Sequence, residues 1–297
     1  MATVNPGWAG VYPAALTHFT PDGELDYDST AGHLDWLVEQ GAHGLIVGGT
    51  SGEFVGLNMS EHHRLIEVAV DAVAGRVPLI VGSGRYTTAE SVALTEHAQR
   101  TGADGALVVQ PYFQRPNRQE VLRHYRTVGL VGMPLMVYNI PANSASDPVS
   151  VADLALLHAE GVAHAVKSTL PTVNQIHEIR SATDESFRVF YGGITSPLEG
   201  IAGGAHAWVS GLLNVIVPEA LQLWDALAVS DLPRARAAWQ PIQDVARLVA
   251  HFRGEASDLA VYRGILTLKG RHAGSSRAPL LDLTPEQLRR LEVAMAS

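Results

Sequence analysis

Eight short runs of apolar and β-branched residues alternate with amphipathic stretches along most of the chain, and this alternation restricts the fold more than any other feature. The runs fall at 10–16, 44–48, 78–82, 105–110, 134–139, 163–167, 187–191 and 207–210. Each has the length expected of a strand buried on both faces in a parallel sheet. The intervening stretches carry helix punctuation. Thr87-Thr88-Ala89-Glu90 has the form of a capping box opening a helix that ends near Gly102. Leu65, Ile66, Ala69, Val70 and Val73 share one helical face, predicting a helix that begins after Ser60 and is stopped by Gly75. A helix-to-strand phrase recurs in Gly41-Ala42-His43-Gly44, Gly102-Ala103-Asp104-Gly105 and Gly204-Ala205-His206-Ala207. Its first glycine suits the left-handed position that follows a helix.

Repetition of one unit, with no linker or low-complexity tract between copies, predicts an α/β fold. Eight β/α units in about 225 residues match a (β/α)8 TIM barrel. A doubly wound open sheet is the rival, but it calls for a glycine-rich dinucleotide fingerprint after an early strand, and none is present. We therefore expect a catalytic barrel over residues 1–230. Residues 231–297 read as a helical C-terminal extension without strands.

Composition narrows the function classes. A net charge of −9 does not provide a basic surface for nucleic acid. The absence of cysteine excludes disulfides, thiolate nucleophiles and cysteine-based metal sites. The N-terminal residues lack the basic region and apolar run of a signal peptide. No segment has the roughly 18 apolar residues of a membrane span, so a cytoplasmic protein without membrane contact is expected. Of the 21 basic residues only two, Lys167 and Lys269, are lysines. A lysine that persists where arginine has filled nearly every other cationic position is a candidate for chemistry that only an amine performs.

Active sites of such barrels form at the C-terminal ends of the strands, and three candidates fall there. Lys167 ends the sixth run, sharing a face with Ala163 and Ala165, whose small side chains would leave room in the interior. Desolvation disfavours the charged form of an amine and frees it to attack a carbonyl. The competing role is a structural lysine paired with a carboxylate. Tyr138 ends the fifth run, where its phenol would lie within reach of a group bound to Lys167 and could move protons; it could also be a core tyrosine with a satisfied hydroxyl. After the second run, Gly48-Gly49-Thr50-Ser51-Gly52-Glu53 combines flexible backbone with two hydroxyls, a cradle for a carboxylate or an ordinary strand-to-helix turn.

Lys269, just before Gly270, suits a helix C-terminus. The 13 histidines show no metal-ligand spacing. His62, His63 and His97 fall on predicted helix surfaces, and His164 lies on the strand face opposite Lys167.

Taken in order, these segments resemble the dihydrodipicolinate synthase/N-acetylneuraminate lyase family of Schiff-base-forming aldolases. The resemblance runs through Gly49-Thr50-Ser51-Gly52-Glu53, Pro111-Tyr112, Tyr138-Asn139-Ile140-Pro141, Lys167 and Gly192-Gly193. It implies that Lys167 forms an imine and that Tyr138 moves protons. Thr50, Ser51 and Gly49 would receive the carboxylate of a 2-oxo acid, with Ser51 also relaying protons, and Gly192 and Asn143 would line the substrate. It further implies an aldolase or dehydratase that needs no cofactor and no metal and forms a homotetramer. Three departures bear on the substrate. Phe113 stands where the synthase branch donates a tyrosine across a subunit interface, and Asn143 where that branch has an arginine for the second substrate. Ser168-Thr169 follow the lysine in place of an acidic residue. The loss of the tyrosine and the arginine argues against the true synthase reaction, and residues 137–143 are closer to the sialic-acid lyase branch. A metal-dependent barrel lyase and a non-catalytic 2-oxo acid sensor are the other classes weighed.

Overall fold

The computed structural model describes residues 5–296. Eight parallel strands form the centre: β1 (Gly10–Pro13), β2 (Leu45–Val47), β3 (Leu79–Gly82), β4 (Gly105–Val109), β5 (Leu135–Asn139), β6 (Ala165–Ser168), β7 (Arg188–Tyr191) and β8 (Ala207–Ser210). They pair in the order β1-β8-β7-β6-β5-β4-β3-β2. The remaining seam is joined by a parallel bridge, Ala14 to Ile46, with the Ala15 N–H donating to the Ile46 carbonyl at 2.8 Å. The fold is the expected (β/α)8 TIM barrel. Every strand lies within or overlaps its predicted run, although several runs are trimmed because their ends no longer pair.

Seven helices connect successive strands: α1 (Tyr27–Glu39), α2 (Met59–Val73), α3 (Thr88–Thr101), α4 (Arg118–Gly129), α5 (Val151–Ala159), α6 (Asn174–Ala182) and α7 (Pro197–Ala202). After β8 come α8 (Val217–Ala228), α9 (Leu232–His251), α10 (Asp258–Leu268) and α11 (Pro285–Met295). The Thr87–Glu90 capping box is present, and Gly102 ends α3 in the left-handed conformation. Helix α2 departs slightly from expectation. A capping box on Asn58 and Glu61 opens it earlier, and Ala74, not Gly75, takes the left-handed cap. No described helix is long and apolar enough to cross a membrane.

Alternation of side chains divides the apolar residues into two layers. Ile46, Ile80, Leu107, Val109, Met136, Ala165, Phe190, Ala207 and Val209 fill the interior. Their strand neighbours, including Val81, Val108, Val137, Val166, Val189 and Trp208, pack outward beneath the helices. Trp8 and Tyr12 plug the end at which strands begin. A Cβ on Gly105 would stand 2.3 Å from the Trp8 ring, and one on Gly44 would stand 2.1 Å from the Tyr12 ring. The second glycine of two recurring phrases is thus required by aromatic close approach. Tyr12 meets Phe190 edge to face at 5.1 Å, so the plugged end is solid and the opposite end is left for a site. Ala163 corrects one expectation: it precedes β6 and packs in the outer layer, and only Ala165 shares the interior face with Lys167.

His62 corrects another. It is fully buried, and a Cβ on Gly48 would stand 2.6 Å from its Nε2. Burial, the largest cause in each case, lowers the His62 pKa to about 3, that of His18 to about 2 and that of His33 to about 4. These rings are neutral when folded and accept a proton near pH 6.5 when unfolded. Their stability contribution is complete above that value and drains as pH falls toward the folded values, each ring costing up to about 1.4 kcal/mol per pH unit. The melting temperature is expected to fall between pH 6.5 and 5, above the range in which carboxylates titrate. A flat melting profile across that window would contradict it.

Candidate active site

Tyr138 and Lys167 are directly opposed in the β5–β6 ladder, so one turn of the sheet places both at the open end of the interior. Lys167 is only 4% exposed, and its Nζ lies 4.1 Å from the centroid of the Tyr138 ring. Lys167 forms no ion pair among the described residues, whereas a lysine retained for charge pairing would have such a partner. The Tyr138 hydroxyl stands 3.3 Å from the Thr50 Oγ1, with either atom able to donate. Three segments far apart in sequence therefore converge: the ends of β5 and β6, and the turn after β2.

That turn is a short 3-10 helix, Thr50–Gly52, entered through Gly48 at φ 62°. Its internal bonds engage the N–H groups of Gly52 (to Gly49, 3.0 Å) and Glu53 (to Thr50, 3.1 Å). The first N–H groups of a helical turn have no partner within it, and here they belong to Thr50 and Ser51. The backbone without a partner inside the turn is thus narrower than the whole glycine-rich stretch. A Cβ on Gly49 would make only ordinary contact with Leu107, at 3.8 Å.

Other glycines are more constrained. A Cβ on Gly192 would stand 2.8 Å from the Ser168 carbonyl oxygen and 3.2 Å from the Lys167 Cγ. Only glycine lets the segment after β7 lie against the lysine stem. A Cβ on Gly211 would stand 2.6 Å from the Ser51 Oγ and 3.0 Å from the Tyr262 ring, which brings α10 up behind the hydroxyl turn.

Asn143 lies in an exposed turn with its N–H donating to Ile140 at 3.1 Å, and the structure shows no contact between it and Lys167. The neighbouring Asn139 has a role the sequence did not reveal. Its Nδ2 donates to the Val149 carbonyl at 3.0 Å and its Oδ1 accepts from the Val149 N–H at 3.1 Å. Together with Gln110, whose Nε2 donates to Ser146 and Asp147, it clamps the loop that follows Tyr138. Phe113 is 87% exposed and sits at φ 74°. Lys269 stands at the C-cap of α10 as expected, but its Nζ reaches away from that helix to donate to the Val215 carbonyl at 2.8 Å. His164 is on the side away from Lys167, its Nδ1 accepting from the Leu135 N–H at 3.3 Å, and no described group of three or more His, Asp or Glu side chains forms a metal site. A cavity of about 370 Å³ opens beside Thr50 and Glu53 and is walled by Phe54, Leu259 and Pro279.

Comparison with known proteins places this geometry in context. The profile of the dihydrodipicolinate synthetase family matches residues 8–297. A 4-hydroxy-tetrahydrodipicolinate synthase of Symbiobacterium thermophilum is 34% identical over 294 residues, covering 98% of each chain. The crystal structure of dihydrodipicolinate synthase from Aquifex aeolicus superposes with a TM-score of 0.90 at 31% identity, covering 97% of both chains. A prophage protein of the same family from E. coli K12, solved in complex with pyruvate, gives a TM-score of 0.89 at 25% identity over 97% of this chain and 98% of that one.

Proposed function

The chain belongs to the dihydrodipicolinate synthetase family and is an aldolase-type lyase of the Schiff-base-forming class, and we propose that Lys167 is its imine-forming amine. The observation that carries this reading is the convergence of Lys167, Tyr138 and Thr50 from three distant segments at the open end of the barrel. A 2-oxo acid enters there and sets its carboxylate on the N–H groups and hydroxyls of Thr50 and Ser51, beside Gly49 at the N-cap of the turn. The Lys167 amine attacks the C2 carbonyl, forming the C–N bond. The carbonyl oxygen then leaves as water, and the resulting iminium draws electrons from the neighbouring bond. The Tyr138 phenol, hydrogen-bonded to Thr50, moves the proton of the cleavage, condensation or elimination step that follows, whereas imine formation draws its proton from solvent at the barrel mouth. Gly192, packed against the lysine stem, lines the substrate beside it, and Asn143 lines the entrance.

All of this uses side chains of residues 1–230, which we treat as the catalytic barrel, with 231–297 as its helical extension. The reaction needs no cofactor, and we assign it to the cytoplasm. A homotetramer fits the exposed Phe113, a bulky side chain held outward where the family's synthase branch donates a tyrosine across an interface. Phe113→Asp is expected to lower the assembly state measured by analytical ultracentrifugation; an unchanged sedimentation profile would remove Phe113 from the interface.

The second reading, condensation of pyruvate with an aldehyde as in the synthase reaction, is favoured by the names of the curated relatives. Asn143 and Phe113 weigh against it. A panel of 2-oxo sugar acids and pyruvate–aldehyde pairs, assayed for pyruvate release or consumption, separates the two. Release from a sugar acid supports cleavage, and consumption with an aldehyde supports condensation. Imine trapping with no turnover on any member would leave a 2-oxo acid-binding protein instead.

A further inference from the structure

Glu53 and Arg263 are 210 residues apart, yet they form an ion pair of 2.7 Å with side chains only 5% and 3% exposed. Neither touches the groups that would react. Glu53 instead closes the turn that bears Thr50 and Ser51, and it does so at φ 54° and ψ 36°. A residue with a Cβ is held there against its intrinsic preference, so surrounding contacts must hold it. Its carboxylate supplies them. Oε1 accepts from the Arg263 Nη2, and Oε2 accepts from the Arg277 backbone N–H at 2.9 Å. The Arg263 guanidinium also donates to the Thr17 carbonyl at 2.7 Å, to the Ser276 Oγ at 3.2 Å and to the Ala273 carbonyl. One planar fork on α10 thus fastens together the β1–α1 loop, the hydroxyl turn and the segment after α10. A buried ion pair adds little net stability, because desolvation offsets attraction. What this one supplies is position.

We propose that the Glu53–Arg263 pair is a positioning device for the Thr50–Ser51 turn, through which helix α10 of the C-terminal extension sets the affinity of the site for a 2-oxo acid carboxylate. The inference rests on the reading that this turn receives the carboxylate. An ammonium could keep the charge at Arg263 but could not reproduce the fork.

A single neutralisation would leave a buried charge unpaired, so two other variants make the test. Glu53→Gln/Arg263→Met removes both charges at similar volume, and Arg263→Lys keeps the charge while removing the fork. The readouts are the number of Lys167 sites trapped by borohydride at saturating pyruvate and the pyruvate concentration that gives half-maximal trapping. Both variants are expected to keep their full complement of trappable sites. Half-saturation is expected to rise about tenfold in the double variant, as a displaced binding group costs, and by a smaller factor in Arg263→Lys. A pair that merely supported the fold would lower the number of trappable sites and leave half-saturation in place. Half-saturation at the wild-type value in a folded variant overturns the proposal; should the double variant not fold, Arg263→Lys decides. Failure of the wild-type protein to trap pyruvate would instead overturn the imine assignment.

Discussion

Lys167→Ala is expected to lower kcat/KM for any 2-oxo acid substrate by at least about 10³-fold, because loss of a covalent nucleophile removes a whole reaction path and not one contact. The expectation depends on where the amine sits. It is buried at the open end of a closed interior, beside a phenol and without an ion-pair partner among the described residues, so no neighbouring group can take its place. The only other lysine, Lys269, is committed to the Val215 carbonyl. Alanine also leaves a cavity, which itself costs stability. Lys167→Met keeps much of the volume without the amine, and its loss of activity should match that of alanine while its melting temperature stays closer to wild type. Steady-state kinetics beside thermal unfolding checks both. Activity retained within tenfold in a folded variant would exclude Lys167 as the nucleophile.

Tyr138→Phe is the second large effect. It removes one oxygen and leaves the ring against the Lys167 amine, so imine formation is expected to survive. Turnover is expected to fall by roughly 10² to 10³, in the range of a lost proton-transfer group, with little change in KM. Thr50, lying at the exposed mouth, can turn to solvent once its 3.3 Å partner is gone, which keeps the structural cost small. A variant that loses trapping and turnover together would show that the phenol is needed before the imine forms. Unchanged turnover would remove Tyr138 from the mechanism.

What was legible in the sequence followed from local chemistry. Buried parallel strands read as continuous apolar runs because both faces are covered, and all eight were found that way. Lys167, Tyr138 and the hydroxyl turn are legible as candidates because each lies at the end of such a run, where a barrel forms its site. Contacts made by distant residues were hidden. His62 reads as a surface histidine because helical periodicity does not reveal that Gly48 has made space for its ring. Glu53 looks like the end of a motif, and its partner Arg263 is one arginine among many in a helix with no strand to mark it. Gly44 and Gly105 each open a predicted strand run, yet each is required by an aromatic ring brought up from elsewhere in the chain. Ala163 was placed on the lysine's face by extending the alternation two residues beyond the point where β6 begins pairing.

The imine is the centre of the account, and borohydride reduction in the presence of pyruvate tests it most directly. Digestion and peptide mass mapping should find the reduced pyruvate adduct on Lys167, and the adduct should be absent from Lys167→Ala and retained in Tyr138→Phe. No adduct on the wild-type protein across pyruvate and several larger 2-oxo acids, or an adduct on Lys269 alone, would contradict it.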